Sequence, residues 1–100
     1  MGKIPHKFTL GGTDYTVRYE EDYTNGSEFA HFEPVKCEVV IHRKIRGVEV
    51  NENTMYNSFL HEMTHAILGT YGFTEQNDDE KFVNAFASGL TQVFLSAEYE

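Results

Sequence analysis

The hydrophobic period of this chain changes once. Over residues 8–19, FTLGGTDYTVRY, apolar Phe8 and Leu10, then Tyr15, Val17 and Tyr19, take every second position. That is the period of a strand with one buried face. From Thr54 onward the apolar residues recur at three and four, the period of a helix packed by one stripe. A sheet in the first part must therefore bury its face against helices from the second. Gly11-Gly12 marks a two-residue hairpin, and Asn25-Gly26 a second turn. After Pro34, the β-branched run VKCEVVIH reads as a short buried strand. These signals predict an antiparallel sheet of three to four strands within the first 45 residues.

Beyond it, RGVEVNENT is polar and carries asparagines suited to helix capping, with Asn53 the expected N-cap. The first helix is predicted from Thr54 to about Tyr71, with Gly72 as its C-terminal glycine. FTEQNDD reads as a loop. A second helix is predicted from about Asp78 to Ala97, with Phe82, Val83, Phe86, Leu90, Val93 and Phe94 at spacings of three, four and seven. The predicted class is α+β, a sheet followed by two helices, as one domain over residues 1–100.

Composition narrows the function. The 100 residues are 40% hydrophobic, enough for one core. Eight basic residues against 16 acidic give a net charge of −8. This speaks against a surface that tracks phosphates, and against docking on anionic lipid. The lone Cys37 allows no internal disulfide and no cysteine zinc knuckle, and its expected place is a small buried hydrophobe in a reducing interior. The start, MGKIPHKFTL, lacks the apolar run of a signal peptide, and His6 stands where a myristoylation signal needs Ser or Thr. No stretch has the apolar length of a membrane span. The expectation is a cytoplasmic protein with neither nucleic acid nor membrane as partner.

Within the first predicted helix lies His61-Glu62-Met63-Thr64-His65. Residues four apart lie on one helix face, about 40° apart, so both imidazoles can meet one ion. Glu62, turned by roughly 100° from His61, is poorly placed as a ligand on that face but can reach a water beside the metal, where a general base belongs. The H-E-x-x-H motif thus describes a geometry. A chain of this composition holds the pattern by chance about three times in a hundred, so it needs supporting residues. The bland alternatives are a solvated face with two unrelated histidines, or a satisfied core histidine. On the helical wheel, Tyr56, Phe59, Leu60, Met63, Ala66, Ile67 and Tyr71 form one apolar arc. His61, His65 and Ser58 fall opposite, which argues for a cleft or the surface.

A catalytic zinc takes three protein ligands and leaves a position for water. His6, His31 and His42 lie upstream, with His31 and His42 expected as strand histidines. Downstream, an antiparallel second helix would bring Asp79 or Glu80 level with the histidines. Wheel geometry divides the two evenly, and acids favour a first helical turn in any case, with Asn77-x-x-Glu80 a fair capping box. Asn84, one turn on, is a candidate to orient a ligand.

FLHEMTHAIL followed by DDEKFVNAFASGLTQVF resembles small phage- and prophage-type HExxH proteins of the zincin superfamily. It is similar, more loosely, to the ImmA/IrrE-like metallopeptidases. The likeness spans roughly Val35 to Phe94. It implies a small zincin-like fold and a gluzincin-like site: His61, His65 and Glu80 on one zinc ion, with Glu62 as base. The histidine-to-glutamate interval is shorter than in larger gluzincins, and Tyr71 and Tyr99 qualify as oxyanion stabilisers by residue type only. The expected activity is zinc-dependent hydrolysis of a peptide or protein substrate, extended along the strand Cys37–His42. The alternative is a zincin-like phage protein with weak or no catalysis that acts by binding a host or phage protein. An acidic mimic of nucleic acid ranks last, because the charges are spread among apolar positions.

Overall fold

The structure, a computed structural model, describes residues 4–99. The Met1-Gly2 start weighed above for lipidation lies outside the described residues. The fold is a small α+β domain, with a mixed sheet of four strands and three helices.

Strands β1 (Lys7–Leu10) and β2 (Thr13–Glu20) form the expected hairpin, with Leu10 opposite Thr13. Gly11 and Gly12 both take positive φ, 57° and 78°, which a tight two-residue turn demands and side chains resist. Phe8 stacks on Tyr15 across the pair, 5.2 Å between ring centroids. The second turn signal does not return the chain to β2. Residues 21–29 carry it past one strand position to β3 (Ala30–Glu33), at the sheet edge, and β4 (Glu38–His42) then fills the gap. The order is β1-β2-β4-β3, so β4 runs parallel to β2 and antiparallel to β3. The expectation of a purely antiparallel sheet is corrected by that crossover. Strand period records which face is buried, not which neighbour is paired.

The buried strand is shorter than its apolar letters. Pro34 opens a 3₁₀ turn over Pro34–Lys36, and Cys37 leaves it at φ 51°, only half-buried. Between the sheet and the first helix, where no structure was expected, β5 (Lys44–Ile45) and β6 (Val48–Glu49) form a small ribbon turning at Arg46-Gly47. Asp22 accepts a hydrogen bond from the Gly47 backbone N–H and ties the ribbon to the crossover.

Helix α1 spans Glu52–Thr70. Its cap is Asn51, two residues before the expected Asn53, with Asn51 Oδ1 accepting from Thr54 N–H at 2.8 Å. Gly72 takes φ 80° just past the C-terminus, as expected. Part of FTEQNDD forms one turn, α2 (Thr74–Asn77). Helix α3 spans Glu80–Ser96. Tyr56, Phe59 and Leu60 of α1 pack on Val17, Val39 and Ile41 of one sheet face to make the core. α3 covers α1 through Val83 and Ala87, both fully buried. Ile67 and Tyr71, at the end of the predicted apolar arc, are exposed.

The other sheet face carries Arg18, His31 and Glu33 beside the buried Val40 and His42. His42 is fully buried and donates from Nδ1 to the Glu28 carbonyl at 2.6 Å. Its Nε2 lies 2.9 Å from His31 Nδ1, and His31 Nε2 lies 2.9 Å from Glu33. Tyr23 stacks on the His42 ring at 3.7 Å.

Candidate metal centre

The α1–α2–α3 path decides what His61 and His65 meet. The two histidines lie one turn apart, with ring centroids at 4.9 Å, and both side chains are about a fifth exposed. The turn of α2 reverses the chain, so α3 starts level with them. Asp79 is spent as the N-cap of α3, accepting from Phe82 N–H at 3.1 Å. The next side chain, Glu80, turns to the histidines instead. Its Oε1 lies 3.4 Å from His61 Nε2, and its Oε2 lies 3.1 Å from His65 Nε2. The two carboxylates left open by the helical wheel are thus separated by capping.

The donor set fits a divalent ion. One ligand atom from each of His61, His65 and Glu80 lies within 4.8 Å of the others. Ligands at about 2.0–2.1 Å around a tetrahedral zinc sit about 3.3 Å apart, close to the separations seen here. Among the described residues this is the one such group of His, Cys, Asp and Glu side chains.

Protonation strengthens the point. Asn77 Oδ1 lies 2.6 Å from His65 Nδ1. An amide oxygen only accepts, so Nδ1 carries the hydrogen, and in the neutral ring Nε2 is a bare lone pair. That lone pair faces a carboxylate oxygen, an arrangement that calls for a proton or a cation between them. Burial, then the neighbouring His65, holds the His61 pKa below its ordinary value, while Glu80 and Asn84 pull it back. Asn77 was read from sequence only as a cap. The signal that would have found it, its distance to His65, exists only after the chain turns at Gly72. Asn84, weighed as an orienting residue, lines one cavity with His61.

Glu62 lies beside the first ligand, in a cavity of about 300 Å³ that it lines with His61, Ser58, Asn84 and the segment Ser27–Ala30. Burial pushes its carboxyl up to about 7, with smaller opposing effects of His65 and His31 below and of Glu80 and Glu28 above. A second cavity, about 450 Å³, opens on the other side of the histidines and is bounded by Phe32, Pro34, His65, Ala66 and Asn77. Both cavities border β3 and its flanks, so a groove follows the edge strand past the centre. This corrects the expected substrate strand. β4 is hydrogen-bonded on both sides, by β2 and β3, and offers no free edge, whereas β3 does. Tyr71 and Tyr99 are exposed and line neither cavity. His31 and His42 face the other side of the sheet and are bonded to one another.

No protein-family profile, no curated protein and no solved structure matches the chain. No helix among the described residues is long and apolar enough to cross a membrane.

Proposed function

We propose that this chain is a small zincin-like metallopeptidase of the gluzincin type, with His61, His65 and Glu80 holding one zinc ion and Glu62 as general base. The observation that carries the reading is the convergence of His61 Nε2 and His65 Nε2 on the two oxygens of the one Glu80 carboxylate. A proton on either ring would satisfy one such contact, whereas a single cation satisfies all three side chains together. When bound, zinc supplies Lewis acidity, acidifying water and polarising a carbonyl. The remaining work falls to the chain's own groups. Glu62, titrating near 7, accepts a proton from water and returns it to the leaving amine. Asn77 fixes the His65 tautomer, and Asn84 steadies His61. An extended peptide lies in the groove, its backbone pairing with the free edge of β3 and its side chains entering the two cavities. The likeness to phage-type HExxH proteins and the lone Cys37 support a cytoplasmic setting.

The test joins metal content to turnover. Elemental analysis should find about one zinc per chain in the native protein, lost in His65→Ala and in Glu80→Ala. Zinc-loaded protein should cleave peptides, and Glu62→Gln should reduce the rate by about 10²–10⁴-fold with the zinc retained. A native protein that takes up no zinc sinks the reading. Zinc binding with no cleavage would leave a zincin-shaped binding protein, and cleavage indifferent to Glu62→Gln would overturn the role of Glu62 as general base.

A further inference from the structure

The two cavities beside the metal centre differ in chemistry. The larger, about 450 Å³, is walled by Tyr15, Phe32, Pro34 and Ala66. Gly69 lines it too, although a Cβ there would meet only Asn77 Nδ2, at 3.6 Å, so the fold has room for a side chain that the sequence withholds. This space is complementary to a large apolar group. The smaller cavity, about 300 Å³, is mixed. Phe29 and Ala30 give it an apolar wall, while Glu28, Asn57, Ser58 and Glu62 give it a polar one.

The polar wall is made for a donor. No lysine or arginine lines this cavity, so no side chain in it balances Glu28 and Glu62. Ser58 gives its hydrogen to the Thr54 carbonyl at 2.8 Å, and its oxygen is left to accept. Hydrogen bonds from its own backbone N–H, then from the Tyr23 hydroxyl and the Ser27 N–H, hold the Glu28 carboxyl below its ordinary value. An apolar wall that leads to acceptors matches a side chain with an apolar stem and a cationic head, which is lysine or arginine.

The distribution of charge along the chain points the same way and is independent of the cavity. Residues 1–46 hold seven acidic and seven basic residues. Residues 47–100 hold nine acidic residues and one basic, Lys81. The whole net charge of −8 therefore lies in the part of the chain that forms α1 and α3, the helices of the metal centre. A bound divalent ion offsets two of those charges and leaves the rest. A field of that sign draws cationic ligands toward the groove.

We propose, on the peptidase reading above, that the substrate is a basic peptide, with a lysine or arginine entering the Glu28 cavity on one side of the cut and a large apolar residue entering the Phe32 cavity on the other. Glu28 sets the basic preference, its carboxylate pairing with the cationic head while Phe29 and Ala30 cover the stem. Glu62, next to the first metal ligand, keeps its role toward water.

A random peptide library, cleaved by the zinc-loaded full chain and read by mass spectrometry, tests this. Lysine or arginine should be enriched on one side of the cut and a large apolar residue on the other. Peptides built around phenylalanine that differ only in lysine, arginine or norleucine then separate charge from shape. Lysine and arginine peptides should each exceed the norleucine peptide in kcat/KM by about tenfold or more. That advantage should shrink as salt rises from about 20 to about 500 mM. Glu28→Gln should bring the lysine-to-norleucine ratio toward one, and Glu28→Lys should invert it. A library cut without a basic residue, or a ratio unmoved by both substitutions, overturns the proposal. If no peptide is cut, the peptidase reading fails by itself, and fluorescence anisotropy of the same peptides decides the subsite. Tighter binding of lysine than of norleucine, lost in Glu28→Gln, upholds the cationic site, and equal binding overturns it as well.

Discussion

Asn77 and Glu62 show how much single residues carry at this centre. Asn77 holds His65 by one short hydrogen bond, so Asn77→Ala frees the ring to rotate and to change tautomer. Zinc affinity should fall by about 10–100-fold, measured by competition with a chromophoric chelator, while the fold persists. An unchanged affinity would show that Asn77 merely occupies the space. Glu62 carries a cost that can be read without substrate. Its carboxyl is raised to about 7 by burial, so in metal-free protein the folded state disfavours the charged form. That cost is complete above pH 7 and absent below about pH 4.5, where both states are protonated. Glu62→Gln should therefore stabilise the chelated protein at pH 8 by about 2–3 kcal/mol, and should do little at pH 4, by chemical denaturation at the two values. Equal effects at both would mean that packing, not charge, sets the difference. His61, Glu62 and His65 were legible in the sequence because their spacing lies within one helix, where local geometry is rigid. Asn77 was not, because its partner lies across a turn.

The start of α3 divides two adjacent acids between two tasks. Asp79 caps the helix and Glu80 faces the histidines. Asp79→Ala should cost about 1 kcal/mol of stability and leave zinc stoichiometry unchanged. Glu80→Ala should do the reverse, losing zinc with little change in the stability of the metal-free protein. Thermal melts with and without chelator, beside elemental analysis, distinguish the two. Retained zinc in Glu80→Ala would move the third ligand elsewhere. The sheet shows the matching limit at this scale. Strand β4 was legible because Val39, Val40 and Ile41 are β-branched and buried on both faces. Its parallel partner was not, because residues 21–29 carry no signal that states how far the chain crosses before it turns back. The ribbon of β5 and β6 was missed for a related reason. Each strand is two residues long, too short for any period to register.

At the scale of the whole molecule, pH joins the two faces of the sheet. His42 is fully buried, and burial holds its pKa below the ordinary value, as it does for His61. The unfolded chain takes up protons near pH 6.5 that the folded chain resists, so stability falls as pH drops through that range. Glu62 acts in the opposite sense between about pH 4.5 and 7 and would mask the effect. The clean measurement uses chelated Glu62→Gln protein, whose melting temperature should decline steadily from pH 7.5 to 5.5. A flat profile would mean that the cluster of His31, His42 and Glu33 takes up the proton without penalty.

The sequence by itself determined the change from sheet to helix, the Gly11-Gly12 hairpin, the buried run at β4 and the shared face of His61 and His65. All of these are fixed by neighbours within a few residues, where strand and helix periods act directly. Only the tertiary structure decided that β4 lies between β2 and β3, that Glu80 rather than Asp79 meets the histidines, and that Asn77 holds His65. It also decided that α3 turns its phenylalanines outward. The helical period of residues 82–94 shows two apolar faces, and which of them is buried depends on what packs there. α1 offers α3 a close surface that accepts Val83 and Ala87, Leu90 and Leu95 pack partly against the core, and Phe82, Phe86, Val93 and Phe94 are left on the outside.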